Sequence, residues 1–225
     1  MPEPLPTVAI IGATGALGSA LARRLARAGR SVVLGSRDAT KARAAADALA
    51  AQVGQPIRSG SNVEAATAAD VVIVTVPFAA QRATLAEIAP AVRGKIVVDT
   101  TVPLVPPRVM RVQLPAEDSA AVVAQSVLGP DVRVVSAFHN VAAHKLATDQ
   151  QVDCDVLVFG DDKAAREVVV TLVAHCGLRG LHAGALVNST AAEALTSVLI
   201  FLNKNYGVDG AGVRITGALV DPTAG

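Results

Sequence analysis

The segment Val8-Ala9-Ile10-Ile11-Gly12-Ala13-Thr14-Gly15-Ala16-Leu17-Gly18 constrains this chain more than any other. A short β-branched apolar run reads as a buried strand, the glycines as a tight turn, and Leu17–Ala28 as the helix that follows, ending at Gly29. In the GxGxxG frame of dinucleotide-binding turns, Ala13 takes the first glycine position, Gly15 the second and Gly18 the third, with Gly12 one residue early. Gly15 lets the main chain approach a pyrophosphate closely, and Gly18 lets the helix pack tightly on the strand. The unpaired amides and the dipole at the helix N-terminus then attract the anion.

The rest of the chain continues the βα rhythm that such a turn requires. Strands are expected at Ser31–Leu34, Pro56–Arg58, Val71–Val76, Lys95–Asp99, Val132–Ser136, Asp155–Phe159 and Leu178–Ala183. Between them the alanine-rich segments read as helices: Asp38 caps one that runs to Ala51 and stops near Gly54, and Asn62 caps Val63–Ala68. Further helices fall at Gln81–Ile88, Asp118–Val127, Lys163–Cys176 and Thr190–Asn203, and Val102–Pro107 is a proline-rich loop. Strands that are apolar throughout belong to sheets covered on both faces. The expected fold is therefore α/β, a Rossmann-type doubly wound parallel sheet with a small C-terminal helical lobe. Residues 1–184 form the NADP-binding domain in this division, and residues 185–225 a helix and glycine-rich tail that close the substrate pocket.

The end of the second strand selects the dinucleotide. An NAD site places Asp or Glu there to accept from the ribose 2′-hydroxyl. This chain has Gly35-Ser36-Arg37 instead. Arg37 offers a planar fork suited to a phosphate, Ser36 a hydroxyl, and Lys41 lies one helical turn further on. These are the groups a 2′-phosphate needs, so NADP(H) is expected rather than NAD(H).

Ligands of open α/β sheets bind past the carboxyl ends of the strands. That places Val76 and Pro77 near the ribose or nicotinamide, followed by Asp99-Thr100-Thr101 and the segment Ser136–Lys145. The last holds His139, Asn140, His144 and Lys145 in one short stretch. His139 and Lys145 are the candidates for acid–base work. His139 and His144 are five residues apart without HExxH spacing, so no metal site is expected. Tyr206 is the only tyrosine and has Gly210 four residues later, which excludes the Tyr-x-x-x-Lys mechanism of short-chain dehydrogenases. Gly-x-Ser-x-Gly and P-loop lysine motifs are also lacking.

Composition narrows the partners. A formal net charge of +1 and 2% aromatic residues give no footprint for nucleic acid. Cys154 and Cys176 form no CxxC pair, which fits a reducing compartment. Met1–Pro6 has no signal-peptide character, and the longest apolar runs, Val71–Val76 and Val198–Leu202, are far shorter than a bilayer span. A soluble cytoplasmic protein is expected, with no membrane partner. The aliphatic helix Ala191–Leu202 is expected to pack in a homodimer interface or under the tail.

Taken in order, these motifs resemble the NADPH-dependent reductases of the deazaflavin coenzyme F420, over nearly the whole chain. The marks are Gly12-Ala13-Thr14-Gly15, Gly35-Ser36-Arg37 with Lys41, Thr75-Val76-Pro77, Val134–His139, Gly160-Asp161-Asp162 and Ala183–Ser189. The resemblance implies hydride transfer between NADP(H) and coenzyme F420, two stacked rings and no obligatory side-chain acid. It also implies that Thr14, Gly15, Ala16 and Leu17 hold the pyrophosphate and that Ser36, Arg37 and Lys41 hold the 2′-phosphate. His139, Val141 and Ala143 would lie beside the reacting rings, with Gly212–Ile215 closing the acceptor pocket. Asn140, Ala142 and the longer tail Val208–Leu219 depart from the archaeal pattern, all on the acceptor side. The residues alone leave two other readings open: NADP-dependent reduction of a small carbonyl or imine, and a non-catalytic NADP-binding module.

Overall fold

The computed structural model describes residues 5–220. Its spine is an eight-stranded sheet in the order β3-β2-β1-β4-β5-β6-β7-β8. The strands are β1 (Val8–Ile11), β2 (Val32–Ser36), β3 (Arg58–Ser61), β4 (Val71–Val74), β5 (Ile96–Asp99), β6 (Arg133–Ser136), β7 (Asp155–Gly160) and β8 (Arg179–His182). The helices are α1 (Ala16–Arg27), α2 (Ala39–Val53), α3 (Asn62–Thr67), α4 (Phe78–Ile88), α5 (Ala120–Leu128), α6 (Ala143–Leu146), α7 (Lys163–His175) and α8 (Ser189–Tyr206). Strands β1 to β6 pair in parallel, with the apolar runs of β1 and β4 at the centre and the polar β3, Arg-Ser-Gly-Ser, at the edge. β7 reverses: it pairs antiparallel with β6, and β8 then runs parallel to β7. A parallel strand needs a crossover helix. The 136–155 connection instead holds only the one-turn α6, which does not carry the chain back over the sheet.

The period-2 alternation of strand side chains splits the interior into two cores. Val8, Ile10, Leu34, Val71, Ile73, Val98 and Val135 face α1, α2, α6 and α7. Ala9, Ile11, Val33, Val72, Val74, Val97 and Val134 face α3, α4 and α5. Both faces are thus covered, which is why these strands lack polar alternation.

Several local expectations shift by one capping residue. Asp38 caps α2 as expected, accepting from the amides of Thr40 and Lys41. Ser61, not Asn62, caps α3, in a reciprocal box with Glu64, so β3 lies later than Pro56–Arg58. Ser119 caps α5. α4 starts three residues early at Phe78, because Pro77 precedes its first turn.

The last helix differs most from expectation. With the turn before it, the span Leu186–Tyr206 is 21 residues and contains an 18-residue stretch of mean hydropathy 1.3, long and apolar enough by length and composition to cross a membrane, although the separate apolar runs are short. In this structure α8 packs on α5, with Ala192, Glu193, Ser197 and Leu199 buried and Val198 and Phe201 exposed. The tail after Gly207 then runs back over the sheet. Val213 accepts from the Asp155 amide at 2.7 Å, and Asp155 accepts from Ile215 at 2.7 Å.

Arg24 of α1 joins three segments. Its guanidinium donates to the carbonyls of Leu146 (2.9 Å), Cys176 (3.1 Å), Thr148 (2.8 Å) and Gln150 (2.8 Å). It therefore satisfies carbonyls at the ends of α6 and α7 that those helices leave unpaired. Arg24→Ala is expected to lower unfolding free energy by about 3 kcal/mol, since hydrogen bonds from a charged donor contribute about 1.5–3 kcal/mol each and water replaces some of them. Urea unfolding checks this; a lower midpoint at unchanged slope is the expected result.

Candidate active site

Strand β1 ends in a turn that only part of the expected glycine frame describes. Gly12, the residue outside the frame, has φ +82° and makes the left-handed turn. Ala13, inside the turn, is fully buried, and its amide donates to the Gly35 carbonyl at 3.3 Å. At Gly18 a Cβ would lie 2.5 Å from the Thr75 hydroxyl and 2.6 Å from the Gly12 carbonyl, so α1 can sit this close to β4 only with glycine there. Gly15 is the N-cap of α1 and offers no side-chain cap, which leaves the first-turn amides without a protein side-chain partner.

The cleft above this turn, about 170 Å3, is lined by Gly12, Thr14, Gly15, Ser36, Arg37, Asn62, Thr75, Val76, Pro77, Ala80 and Thr84. It brings together five of the expected cofactor-binding residues: Thr14, Gly15, Ser36, Arg37 and Val76. Ala16 is exposed on the first turn of α1, whereas Leu17 is half-buried against the first core. Lys41 projects into solvent, its ammonium 3.8 Å from Asp38, and does not line the cleft. Arg37 is exposed and forms no ion pair among the described residues, so its fork is available to an anion. Asn62 and Thr75 went unmarked as cleft residues. Asn62 reads in sequence only as a helix start, and Thr75, bonded to the Ile11 carbonyl at 2.8 Å, only as a strand end.

The segment expected beside the reacting rings lies past β6. Phe138 takes φ +67°, a left-handed conformation that costs a bulky residue on the order of 1–3 kcal/mol and marks a local constraint. The kink directs His139 inward, where it is 7% exposed and shares a 2.7 Å hydrogen bond with the Ser136 hydroxyl. Burial pushes its pKa down to about 4, so the ring is neutral near pH 7. Val141 is half-buried against the first core, and Ala143 begins α6. Asn140 donates to the Ala192 carbonyl and the Thr196 hydroxyl of α8, at 2.9 and 3.0 Å. His144 and Lys145, by contrast, meet Asp209 of the tail at the surface.

Behind these strand ends lies a buried polar cluster that the sequence reading did not assemble. Asp99, wholly buried at the end of β5, accepts from the Thr101 hydroxyl and the Gln81 amide, both at 2.6 Å. Burial raises its pKa to about 6 against the lowering effect of those bonds. Glu193 reaches in from α8 and accepts from the amides of Ala120 and Ala121. Burial raises it to about 7. The signal for it was available: it is the single acidic residue in the apolar α8. No group of three or more potential metal ligands occurs among the described residues.

Fold and cleft together define an oxidoreductase of the dinucleotide-binding Rossmann class. The sequence model of the family described as NADP oxidoreductase, coenzyme F420-dependent, matches residues 7–103. The F420-dependent NADP reductase of Methanothermobacter thermautotrophicus is 39% identical over 218 residues, covering 93% of this chain and 94% of that protein. The corresponding protein of Methanocaldococcus jannaschii is 38% identical over 219 residues, covering 93% and 97%. A crystal structure from Arthrobacter sp. FB24, provisionally named an F420-dependent NADP reductase, superposes with a TM-score of 0.80 at 25% identity, covering 94% of this chain and all of that one. The chain belongs to the F420-dependent NADP reductase family.

The buried ionisable groups make a signed pH prediction. Asp99 is raised from 3.8 to about 6, so its folded form holds a proton that the unfolded chain has released; that contribution is full below pH 3.8 and is lost as pH rises to about 6. His139 works in the opposite sense: lowered from 6.5 to about 4, it contributes above pH 6.5 and the contribution is lost as pH falls to about 4. Asp99→Asn is therefore expected to remove a fall in stability between about pH 4 and 6, measured as the urea midpoint against pH. A variant with the wild-type slope in that window would contradict the assignment.

Proposed function

We propose that this protein transfers a hydride between NADP(H) and the deazaflavin coenzyme F420. The observation that carries the reading is the end of β2: Ser36 and Arg37 line the cleft beside the α1 N-terminus where an NAD site would place a carboxylate. Family membership supplies the acceptor. The bound nicotinamide and deazaflavin rings supply the redox chemistry themselves; the chain binds, orients and excludes water.

Its own residues fit those tasks. The uncapped amides at the start of α1 face the pyrophosphate position, and the Gly12–Gly18 turn brings the backbone close enough to reach it. Ser36 and Arg37 take the 2′-phosphate, with Lys41 contributing long-range positive charge from the next helix. Val76 and Pro77 lead the groove toward β5 and β6, where the His139–Ala143 segment borders the acceptor side. A neutral, buried His139 is a poor proton donor near pH 7. That supports direct ring-to-ring hydride transfer over acid-assisted reduction of a carbonyl or imine.

Two further elements belong to the proposal. The C-terminal segment 185–225 acts as the acceptor-side lobe. The protein is a cytoplasmic homodimer that uses the exposed face of α8 and of the turn before it, where Val187, Val198 and Phe201 are 52%, 43% and 48% exposed, rather than inserting that helix in a membrane. The burial of Glu193 against α5 supports the packed role for α8. We place no nucleic acid among its partners.

Two experiments test the reading. NADPH oxidation by the purified protein is expected with F420 and not with a panel of small carbonyls and imines; tight NADPH binding without F420 turnover would sink it. Arg37→Ala is expected to raise KM for NADPH about tenfold or more, from the loss of about 1.5–3 kcal/mol of charge-assisted hydrogen bonding, and to narrow the preference over NADH. An unchanged NADPH/NADH ratio of kcat/KM would move the 2′-phosphate elsewhere.

A further inference from the structure

Glu193 is the only acidic residue of α8 and is 1% exposed, yet both of its carboxylate oxygens reach across to another helix. One carboxylate oxygen accepts from the Ala120 amide at 2.7 Å, and the other from the Ala121 amide at 3.1 Å. These are the first two residues of α5, whose own cap, Ser119, serves the Val122 amide. A side chain from a helix about 70 residues away in sequence thus completes the N-terminus of α5.

The connections continue in both directions from that contact. Gln81 of α4 donates to the Ala120 carbonyl at 2.8 Å and to Asp99 at 2.6 Å, and Asp99 holds Thr101 at the end of β5. On α8 itself, Ala192 and Thr196 flank Glu193 and take the Asn140 amide. The Thr196 hydroxyl also donates to the His139 carbonyl at 3.1 Å. One turn of α8 therefore fixes both the His139–Asn140 segment and, through α5 and Gln81, the Asp99–Thr101 strand end.

We propose that Glu193 is a pH-responsive positioning residue: its ionised carboxylate clamps α5 to α8 and holds these two segments where the acceptor binds, and protonation releases one of the two clamped amides. The inference rests on the reading that the His139 segment borders the acceptor. The chemistry of the clamp is that of a carboxylate, in which both oxygens are acceptors; a carboxylic acid gives up one of them to a hydroxyl donor. The proton taken up stays on Glu193 as a new O–H, and the Ser189 hydroxyl oxygen, within hydrogen-bonding range and itself donating to Ser119, is the acceptor for it.

The surroundings place this change near neutrality. Burial raises the Glu193 pKa to about 7, opposed by the two amides, and the charge of Asp99 raises it further. Asp99 of β5 is the titratable side chain set against it; Gln81 of α4 is neutral, and Ser119 and Ser189 present hydroxyls. Glu193 takes part in no ion pair among the described residues. Lys204, the one basic residue of α8, is exposed at the far end of the helix.

The test begins with the intact wild-type protein. Its Ala120 and Ala121 amide resonances are expected to move together with pH, with one midpoint at about 7. Over the same range KM for F420 is expected to rise roughly three- to tenfold on acidification, the loss of one hydrogen bond, while KM for NADPH stays level. In Glu193→Gln both titrations vanish and KM for F420 stays at its acidic value. In Asp99→Asn the amide midpoint moves to lower pH, because a neighbouring negative charge is gone. Amide resonances that stay fixed from about pH 5.5 to about 8.5 would overturn the clamp. A titrating clamp with a pH-independent KM for F420, or with both KM values moving in step, would overturn the positioning role. Amides that titrate as expected in a protein inert toward F420 would refute the acceptor assignment and still support the clamp.

Discussion

The approach of α1 to the sheet at Gly18 is the contact on which the cleft depends. With the helix lying against Thr75 and the Gly12 carbonyl, its N-terminus opens directly over the ends of β1 and β4. A methyl group at Gly18 would overlap backbone that cannot yield, because Gly12 is itself bonded to the β2 strand end through its amide at 3.1 Å from the Gly35 carbonyl. Moving α1 outward would carry its amides away from the groove and from Ser36 and Arg37. The α1 N-terminus and the end of β2 are thus one rigid unit, set by a van der Waals limit rather than by any strong bond.

The other end of α1 holds the chain past α6. Arg24 ties that helix to the carbonyls at 146–150, and Arg23 and Arg27 add ion pairs to Asp149 at 2.7 and 3.0 Å. The exposed pairs contribute little by themselves; the multidentate Arg24 contact is the firmer tie. The 139–147 segment is therefore held at its far end by the helix that carries the cofactor amides, and at its near end by α8. A segment pinned at both ends can keep a kink at Phe138 that a free loop would relax.

The parts of this structure written in local chemistry were legible in the sequence. Uniformly apolar strands gave the covered sheet, Asp38 gave the start of α2, and the missing carboxylate after β2 separated NADP from NAD. What stayed hidden depends on contacts distant in the chain. The role of Gly12 follows from where β2 and β4 lie, not from the GxGxxG spacing, so the frame assigned the turn to Ala13. Lys41 follows Arg37 by one turn, but the Asp38 cap pulls its stem along the helix and its ammonium out into solvent. The reversal of β7 comes from a crossover helix too short to exist. Glu193 could be flagged as odd in an apolar helix, but only the fold shows that the α5 amides await it.

That last contact also explains why a carboxylate stands here although its burial is costly. Burial raises the pKa of Glu193 and of Asp99, and the charge of Asp99 adds to the rise at Glu193, so keeping Glu193 ionised above neutrality lowers the stability of the folded state. An alanine or leucine at this place would remove the penalty but leave two α5 amides without acceptors in a dry site, which is also destabilising. Gln would satisfy one of them. Only a carboxylate gives both amides an acceptor and releases one of them by a proton, and it does so on a helix that also anchors the His139–Asn140 segment.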